Sequence, residues 1–389
     1  MRRRVQAAAA TVAFALITSA LSGCSKPKES ASSPSVLRLG ALVPLSGDSG
    51  PTGQRMLPAY ELAVKEANDA GGVLGHKVEL VTGDDACDPG TAVTAANDML
   101  AKDITVSVGG ACSAATVPVL KAFRAAGIPM IIPGSNSTDL LAPKYDSVFL
   151  LSGTTAIEAQ RAVEFMRNAG SHRVALVDDG TSFPETLARA AGTSVQQPGS
   201  GITVAAELKL SQGAANYPRI VEAVHETNTD MVFFTGYYVE AAKLIRDLRA
   251  GGYTGKIMLS DAGTDPQLFK ELTADRAEGV YGWTLPLAQF EPKASTWAEK
   301  YKSDTGMAPG PFTMQAYDAV RLALSAVKRA GSLDRAKVRA AIAGTRPGDV
   351  ELLSGPSRFS ANGTQENPTF VLLRIRNGAF SLARQDGGE

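Results

Sequence analysis

The stretch VLRLGALVPLSGDSGPTGQRMLPAYELAVKEANDAGGVLGHKVELVTGDD, residues 36–85, has a dense apolar run at each end and an amphipathic segment between them. The runs at 36–44 and 77–85 are short and rich in Val and Leu, which is typical of buried strands in a parallel sheet. The segment 57–72 places its apolar residues on one face and ends in a glycine pair, a common helix C-terminus. The stretch therefore predicts a strand–helix–strand unit and an α/β fold.

The same alternation continues along the chain in two series. The first series adds helices at 90–101 and 113–127 and strands at 104–111 and 128–133. The second series begins after 148–155, with predicted helices at 156–169, 184–194, 217–225 and 239–250 and predicted strands at 173–179, 202–210, 231–236 and 256–261. Two such series predict two doubly wound, Rossmann-like lobes. Later elements return to lobes already begun: helices 294–304 and 313–330 and strands 369–375 and 379–383.

The N-terminus indicates export. Arg2, Arg3 and Arg4 precede an apolar run that is shorter than the roughly 20 residues a membrane span needs, which favours a secretory signal. The run ends in LSGC (21–24), which resembles the lipobox of bacterial lipoproteins, whose cysteine is acylated and becomes the mature N-terminus. An ordinary signal peptide with a chance cysteine is the alternative. The resemblance implies that Cys24 is lipidated, and the polar residues that follow it suit a flexible tether.

Export changes the interpretation of the other two cysteines. With Cys24 acylated, Cys87 and Cys112 remain as an even pair in an oxidising compartment, and this favours a disulfide. Closing the loop between them would stabilise the fold by about 3–4 kcal/mol in the chain-entropy model. A thiol nucleophile would need a histidine base placed by the fold, which the sequence alone leaves open. The histidines are scattered, without the spacing of a zinc site: His76, His172 and His225.

Composition and motifs favour binding over catalysis. The chain has 389 residues, enough for two domains, and its 39 basic and 39 acidic residues form no basic stripe, so nucleic acid is not an expected partner. Several enzyme motifs are missing: the G-x-S-x-G, H-E-x-x-H, P-loop and dinucleotide-binding patterns. We therefore expect a protein that is not an enzyme and that uses no cofactor or metal.

Small polar residues follow three of the predicted strands, in the segments 45–54, 112–116 and 134–138. Ligands of open α/β sheets bind where the strands end, against helix N-termini whose free N–H groups attract anions. Ser113 begins the helix that follows the third strand, so this helix N-terminus is a candidate carboxylate site. For any one of these loops taken alone, an ordinary helix cap without a ligand is the preferred explanation.

Several longer stretches resemble the branched-chain amino-acid (Leu/Ile/Val-type) binding proteins of bacterial ABC transporters, which have the periplasmic binding fold of type I. The matching stretches are GALVPLSGDSGPTGQ (40–54), ANDAGGVLGHKVELVTGDDACDP (67–89), GGACSAATVPV (109–119), GIPMIIPGSNS (127–137) and FFTGYYVEAAKLIRDLRAGG (233–252). The resemblance implies two lobes joined by three crossings, with the ligand enclosed between them. The resulting expectation is a signal peptide at 1–23, a lipidated tether at 24–35, a first lobe of 36–154 plus 284–355, and a second lobe of 155–283 plus 356–389.

The resemblance also implies the roles of individual residues. In such proteins the ligand carboxylate is held by the serine after the second cysteine, here Ser113, and by a turn that corresponds to Gly134, Ser135 and Asn136. The ammonium group meets a glutamate of the second lobe, and Asp261 stands at that position. The remaining expected ligand-binding residues line the side-chain pocket: Thr52, Ala111, Phe183, Tyr237 and Phe312. Where the family often has tyrosine or leucine, Thr52 and Ala111 are smaller, which predicts a ligand bulkier than leucine, such as an aromatic or amide-bearing amino acid.

The function that these observations predict is that of a periplasmic or cell-surface lipoprotein. It would bind an amino acid or a related small carboxylate, act as a monomer, and deliver its ligand to an ABC permease. Its contact with the membrane would be the N-terminal lipid. A sensor of the same fold, which reports its ligand to a membrane receptor or regulator, is the alternative.

Overall fold

Residues 36–384 are described by the computed structural model, and they form two β-sheets flanked by helices. The predicted signal peptide, the tether and Cys24 lie outside the described residues, as does 385–389. Within 36–384, no helix combines the length and the apolar character that crossing a bilayer would require.

Five strands form the first sheet: β1 (Leu37–Val43), β2 (Val78–Asp84), β3 (Val106–Ser107), β4 (Met130–Ile132) and β5 (Val148–Leu150). Their order is β2-β1-β3-β4-β5, and every neighbouring pair is parallel. Three helices connect them: α1 (Gly50–Asp69), α2 (Pro89–Ala101) and α3 (Ser113–Ala125). β1 is buried over almost its whole length, which explains why its sequence is a continuous apolar run.

Seven strands form the second sheet: β6 (Arg173–Asp178), β7 (Thr203–Lys209), β8 (Met231–Phe234), β9 (Lys256–Leu259), β10 (Tyr281–Thr284), β11 (Val371–Arg376) and β12 (Ala379–Leu382). Their order is β12-β11-β10-β9-β8-β6-β7. The second series of helices is α4 (Thr155–Asn168), α5 (Ser182–Val195), α6 (Pro218–Glu226), α7 (Tyr238–Ala250) and α8 (Ala274–Ala277). Three more helices follow β10: α9 (Ser295–Thr305), α10 (Thr313–Ala330) and α11 (Arg335–Ala343). The predicted architecture of two doubly wound α/β lobes is confirmed, and we call the parts built on the two sheets the first and the second lobe.

The second sheet is parallel except at one edge, where β11 pairs antiparallel with both β10 and β12. β11 and β12 are joined by only two residues, Asn377 and Gly378, and both have positive φ angles, of 52° and 73°. Asn-Gly is the dipeptide that tight two-residue hairpins favour, because both central positions need a left-handed backbone. This turn therefore accounts for the antiparallel pairing of β11 with β12.

Helix α1 begins at Gly50, seven positions before the predicted start at 57, because Pro51 suits the first turn of a helix. Its first turn passes very close to the end of β1. A Cβ atom on Gly53 would lie 1.7 Å from the carbonyl oxygen of Pro44, so only glycine allows this approach. The contact places Thr52 at the carboxyl end of the sheet, where the site lies. Strands β5 and β10 and helices α8 and α11 were not predicted.

The chain passes between the lobes three times. It leaves the first sheet between β5 and α4, returns after β10 so that α10 packs on α1, and leaves again before β11. Residues near 364 pair with β5 through the bridge between Leu150 and Thr364. Thr364 therefore contacts the first sheet, so the last segment of the second lobe, which we expected to start at 356, starts after 364. The other lobe boundaries stay a prediction, since 36–384 belong to one compact unit.

The predicted disulfide between Cys87 and Cys112 is confirmed. The Cα atoms of the two residues are 5.4 Å apart, and the closed loop spans 25 residues. Cys87 lies in the loop after β2, where its φ angle is 58°, and Cys112 is the N-cap residue of α3. The bond therefore ties the loop after β2 to the N-terminus of α3.

Candidate functional site

A cavity of about 480 Å³, including its mouth, lies between the carboxyl ends of the two sheets. It is lined by nine of the ten residues that the sequence indicated: Thr52, Ala111, Ser113, Gly134, Asn136, Phe183, Tyr237, Asp261 and Phe312. Ser135 is the exception. Its hydroxyl group lies 2.9 Å from that of Thr116, and its backbone N–H donates to the carbonyl of Gly110, so Ser135 supports the turn from behind the cavity.

One end of the cavity suits an anion. Helix α3 begins there with Ser113, and no side chain caps its first N–H groups. The hydroxyl oxygen of Ser113 accepts the backbone N–H of Ser137 at 3.2 Å, which holds the turn at 134–137 beside the helix. Free N–H groups at a helix N-terminus, together with a serine hydroxyl, are the usual partners of a carboxylate in proteins.

Two carboxyl groups lie near this anion site, those of Asp261 and Glu158, and only Asp261 was predicted from the sequence. Asp261 follows β9 and lines the cavity, and Glu158 lies in the first turn of α4. The amide nitrogen of Asn136 donates to Asp261 Oδ2 at 3.0 Å and to Glu158 Oε2 at 3.3 Å. Glu158 Oε1 also accepts the backbone N–H of Asp261 at 3.0 Å. No motif marks Glu158, because an acidic residue near a helix N-terminus is ordinary.

Burial controls the ionisation of this pair. Glu158 is fully buried and Asp261 is 2% exposed. Burial raises the pKa of Asp261 to about 7, against the opposing effect of N–H groups from Ala262 and Asn136. Burial first, and the charge of Asp261 second, raise the pKa of Glu158 well above its usual value. Among residues 36–384, no lysine, arginine or histidine forms an ion pair with either group, so a cationic ligand group would be stabilised beside Asp261.

The opposite part of the cavity is crossed by bonds between the lobes. Asp265 is 2% exposed and accepts the Thr52 hydroxyl at 3.0 Å, and it forms an ion pair with Arg55. Tyr238, at the start of α7, donates its hydroxyl to the carbonyl of Asp48. Thr52, Arg55 and Asp48 belong to the first lobe, while Asp265 and Tyr238 belong to the second. These contacts join the two lobes across the cavity, and no local sequence pattern marks them.

Aromatic side chains form the apolar wall. The rings of Phe183 and Tyr237 meet edge to face, with centroids 5.9 Å apart. Phe312 has a left-handed backbone with φ of 61°, which is uncommon outside glycine and is often found at ligand sites. The hydroxyl of Tyr237 is buried without a hydrogen-bond partner among the described residues, and burial, more than the nearby acidic groups, raises its pKa. This hydroxyl is available to a ligand.

The described residues do not suggest a metal centre. No group of three or more His, Cys, Asp or Glu side chains in 36–384 is placed so that it could hold a metal ion. The cavity combines a helix N-terminus, a buried carboxylate and an aromatic wall, a set of groups that suits a small zwitterion with an apolar or amphipathic side chain.

Comparisons with known proteins show which proteins this chain is similar to. A family model described as "Periplasmic binding protein" matches residues 36–379. The Leu/Ile/Val-binding protein homolog 3 of Brucella melitensis is 27% identical over 344 residues, which cover 88% of this chain and 92% of the relative.

Solved structures share the fold. A leucine-binding protein of Thermotoga maritima superposes with a TM-score of 0.82 at 23% identity, covering 90% of this chain and 98% of the other. The branched-chain amino acid transporter substrate-binding protein of Streptococcus pneumoniae, solved in complex with isoleucine, superposes with a TM-score of 0.79 at 22% identity, covering 89% and 98%.

Proposed function

Because the chain belongs to the periplasmic binding protein family, we propose that it binds an α-amino acid between its lobes and delivers it to an ABC permease. The observation that carries the proposal is that the acidic group of Asp261 and the N-terminus of α3 both contact one short segment, residues 136–137. Asn136 contacts Asp261, and the next residue, Ser137, contacts Ser113 at the N-terminus of α3. An anion site and a buried carboxylate this close together match the carboxylate and ammonium groups of one α-carbon.

Each ligand group has a stated partner in this proposal. The first N–H groups of α3, the Ser113 hydroxyl and the N–H of Asn136 in the turn at 134–136 receive the carboxylate. Asp261 receives the ammonium group. The aromatic wall of Phe183, Tyr237 and Phe312 contacts the side chain. The bonds between Thr52, Arg55 and Asp265 form when the lobes close around the ligand, and a permease would recognise this closed surface.

We also propose that the protein acts outside the cytoplasm as a monomer anchored by a lipid on Cys24. The apolar N-terminal run, the LSGC sequence and the disulfide support this placement, since disulfides persist in oxidising compartments. The relatives that match are named as binding proteins, which supports transport without a catalysed reaction.

The function is tested by calorimetric titration of the full-length protein, freed of carried-over ligand, with each of the standard L-amino acids. We expect one amino acid or one group of similar amino acids to bind in a one-to-one complex. Binding only of small acids that lack an amino group would contradict the role of Asp261, and no binding of any amino acid would overturn the proposed function.

The pocket composition predicts that L-phenylalanine binds more tightly than L-leucine. Thr52 and Ala111 are small and leave room for a larger side chain, and Phe183 and Phe312 offer it apolar contact. The measurement is a pair of titrations under one condition. The variant with Thr52→Tyr and Ala111→Leu should reverse the preference, because it fills the same space. Tighter binding of leucine by the unaltered protein would contradict the prediction.

The bonds across the cavity predict an effect on ligand release. Replacing Arg55→Met together with Asp265→Asn removes an ion pair whose side chains are 12% and 3% exposed, without leaving either charge unpaired. A hydrogen bond to a charged group contributes about 1.5 kcal/mol or more, so we expect dissociation to become about tenfold faster in stopped-flow measurements. The matched control is Lys65→Met with Asp69→Asn, an exposed pair on the same helix, which should change nothing. Equal dissociation rates in both variants would contradict the role of the Arg55–Asp265 pair.

A further inference from the structure

The least expected feature of the site is that a second carboxyl group, that of Glu158, lies against Asp261. Two buried carboxyl groups, those of Asp261 and Glu158, receive hydrogen bonds from one amide nitrogen, that of Asn136, at 3.0 Å and 3.3 Å. Glu158 also accepts the backbone N–H of Asp261, so the pair is held at short range by bonds within the protein. Two like charges this close, without a cation among the described residues, are unfavourable in a medium of low dielectric constant.

We infer that Glu158 is a second acidic group of the ligand site, which holds a proton in common with Asp261 until the ammonium group of the ligand displaces it. The inference rests on the proposed function, since it needs an ammonium group at Asp261. When the ammonium group binds, the O–H bond of the protonated carboxyl group breaks and the proton is released to the solvent. The ligand's positive charge, bound at Asp261, then compensates the negative charge that the released proton leaves on the pair.

The surroundings of the pair leave few other groups that could take this role. Asn136 faces the pair from the turn after β4, and Tyr237, the N-cap residue of α7, lies near Asp261. On α5, which packs along α4, Glu185 forms an ion pair with Lys209, and Arg189 is exposed. On α4 itself, Arg161 and Glu164 pair with each other at the surface. The raised pKa values of Glu158 and Asp261 are consistent with a shared proton near neutral pH.

The inference predicts that amino-acid binding releases protons. Groups that interact this strongly titrate together, and we expect a release approaching about one proton per bound ligand near neutral pH. As the pH falls through the apparent pKa of the pair, the ligand must compete with a proton that is held more firmly. The dissociation constant should then rise by up to about tenfold for each pH unit.

The experiment measures binding of the tightest amino acid to the full-length protein by calorimetry, in two buffers of different ionisation enthalpy and at several pH values. The difference between the buffers gives the number of protons released. Glu158→Gln keeps the shape of the side chain and removes its charge, so we expect a smaller proton release and a pH dependence moved to lower pH. Glu164→Gln, at an exposed position of the same helix, is the matched control and should behave as the unaltered protein does.

The outcomes are distinct. An unaltered protein that binds an amino acid without releasing protons overturns the inference and leaves the proposed function in place, even if the Glu158→Gln variant fails to fold. Unchanged proton release and an unchanged pH profile in Glu158→Gln overturn the role of Glu158 in the same way. An unaltered protein that binds no amino acid overturns the proposed function and the inference together.

Discussion

Replacing Asp261→Asn should weaken amino-acid binding by between about 30-fold and several thousand-fold. Asp261 lines the cavity and is almost fully buried, so the ammonium group of the ligand would face a neutral amide away from water. Removing one partner of a buried charged pair costs about 2–5 kcal/mol, and each 1.4 kcal/mol corresponds to about tenfold in affinity. The measurement is calorimetric titration with the amino acid that the unaltered protein binds most tightly.

A matched control separates this effect from a general loss of carboxylates. Glu240 is also buried in the second lobe, where it accepts the N–H of Gly213 and lines an outer groove instead of the cavity. Glu240→Gln should leave ligand affinity unchanged. Binding of similar strength in Asp261→Asn and in the unaltered protein would contradict the assignment of the ammonium site to Asp261.

The same substitution should not destabilise the ligand-free protein. Because the folded-state pKa of Asp261 is raised to about 7, the folded protein binds more protons than the unfolded chain between the ordinary pKa of Asp and that value. Stability is therefore lost as the pH rises through this window. An amide at position 261 does not ionise, so at alkaline pH the variant should unfold at a temperature no lower than that of the unaltered protein. This check shows that lost binding is not lost folding.

The second large effect concerns the disulfide. Replacing Cys87→Ala together with Cys112→Ala should lower the free energy of unfolding by about 3.5 kcal/mol, the value that the chain-entropy model gives for a loop of 25 residues. The bond also anchors Cys112 at the N-terminus of α3, next to Ser113. The variant should therefore bind its ligand more weakly as well, since the anion site becomes less ordered.

Urea unfolding of the two proteins, each with and without a reducing agent, measures the effect. The reducing agent should destabilise the unaltered protein to about the level of the double variant and should leave the double variant unchanged. Equal stability of the unaltered protein and the double variant under non-reducing conditions would contradict the prediction.

The pocket residues show how far a family resemblance reaches. Nine of the ten residues that it indicated line one cavity, although they come from distant parts of the chain. The resemblance could not show that Ser135 turns away from the cavity toward Thr116, because the direction of a side chain in a tight turn depends on its packing partners. Their roles in ligand binding remain predictions that the titrations test.

The amino-acid sequence by itself determined the α/β class, the two series of elements and the cysteine pair, because these depend on local periodicity, on strand-length apolar runs and on the compartment. Only the tertiary structure showed that Glu158 lies against Asp261 and that Thr52 and Arg55 reach Asp265. The first pair is 103 positions apart in the sequence, and Thr52 and Asp265 are 213 apart. The contacts of Asp265 exist only where the two lobes close on each other, and the contact of Glu158 with Asp261 exists only where distant elements of the second lobe pack together. No local pattern encodes either, because their energy comes from burial and proximity that the folded chain creates.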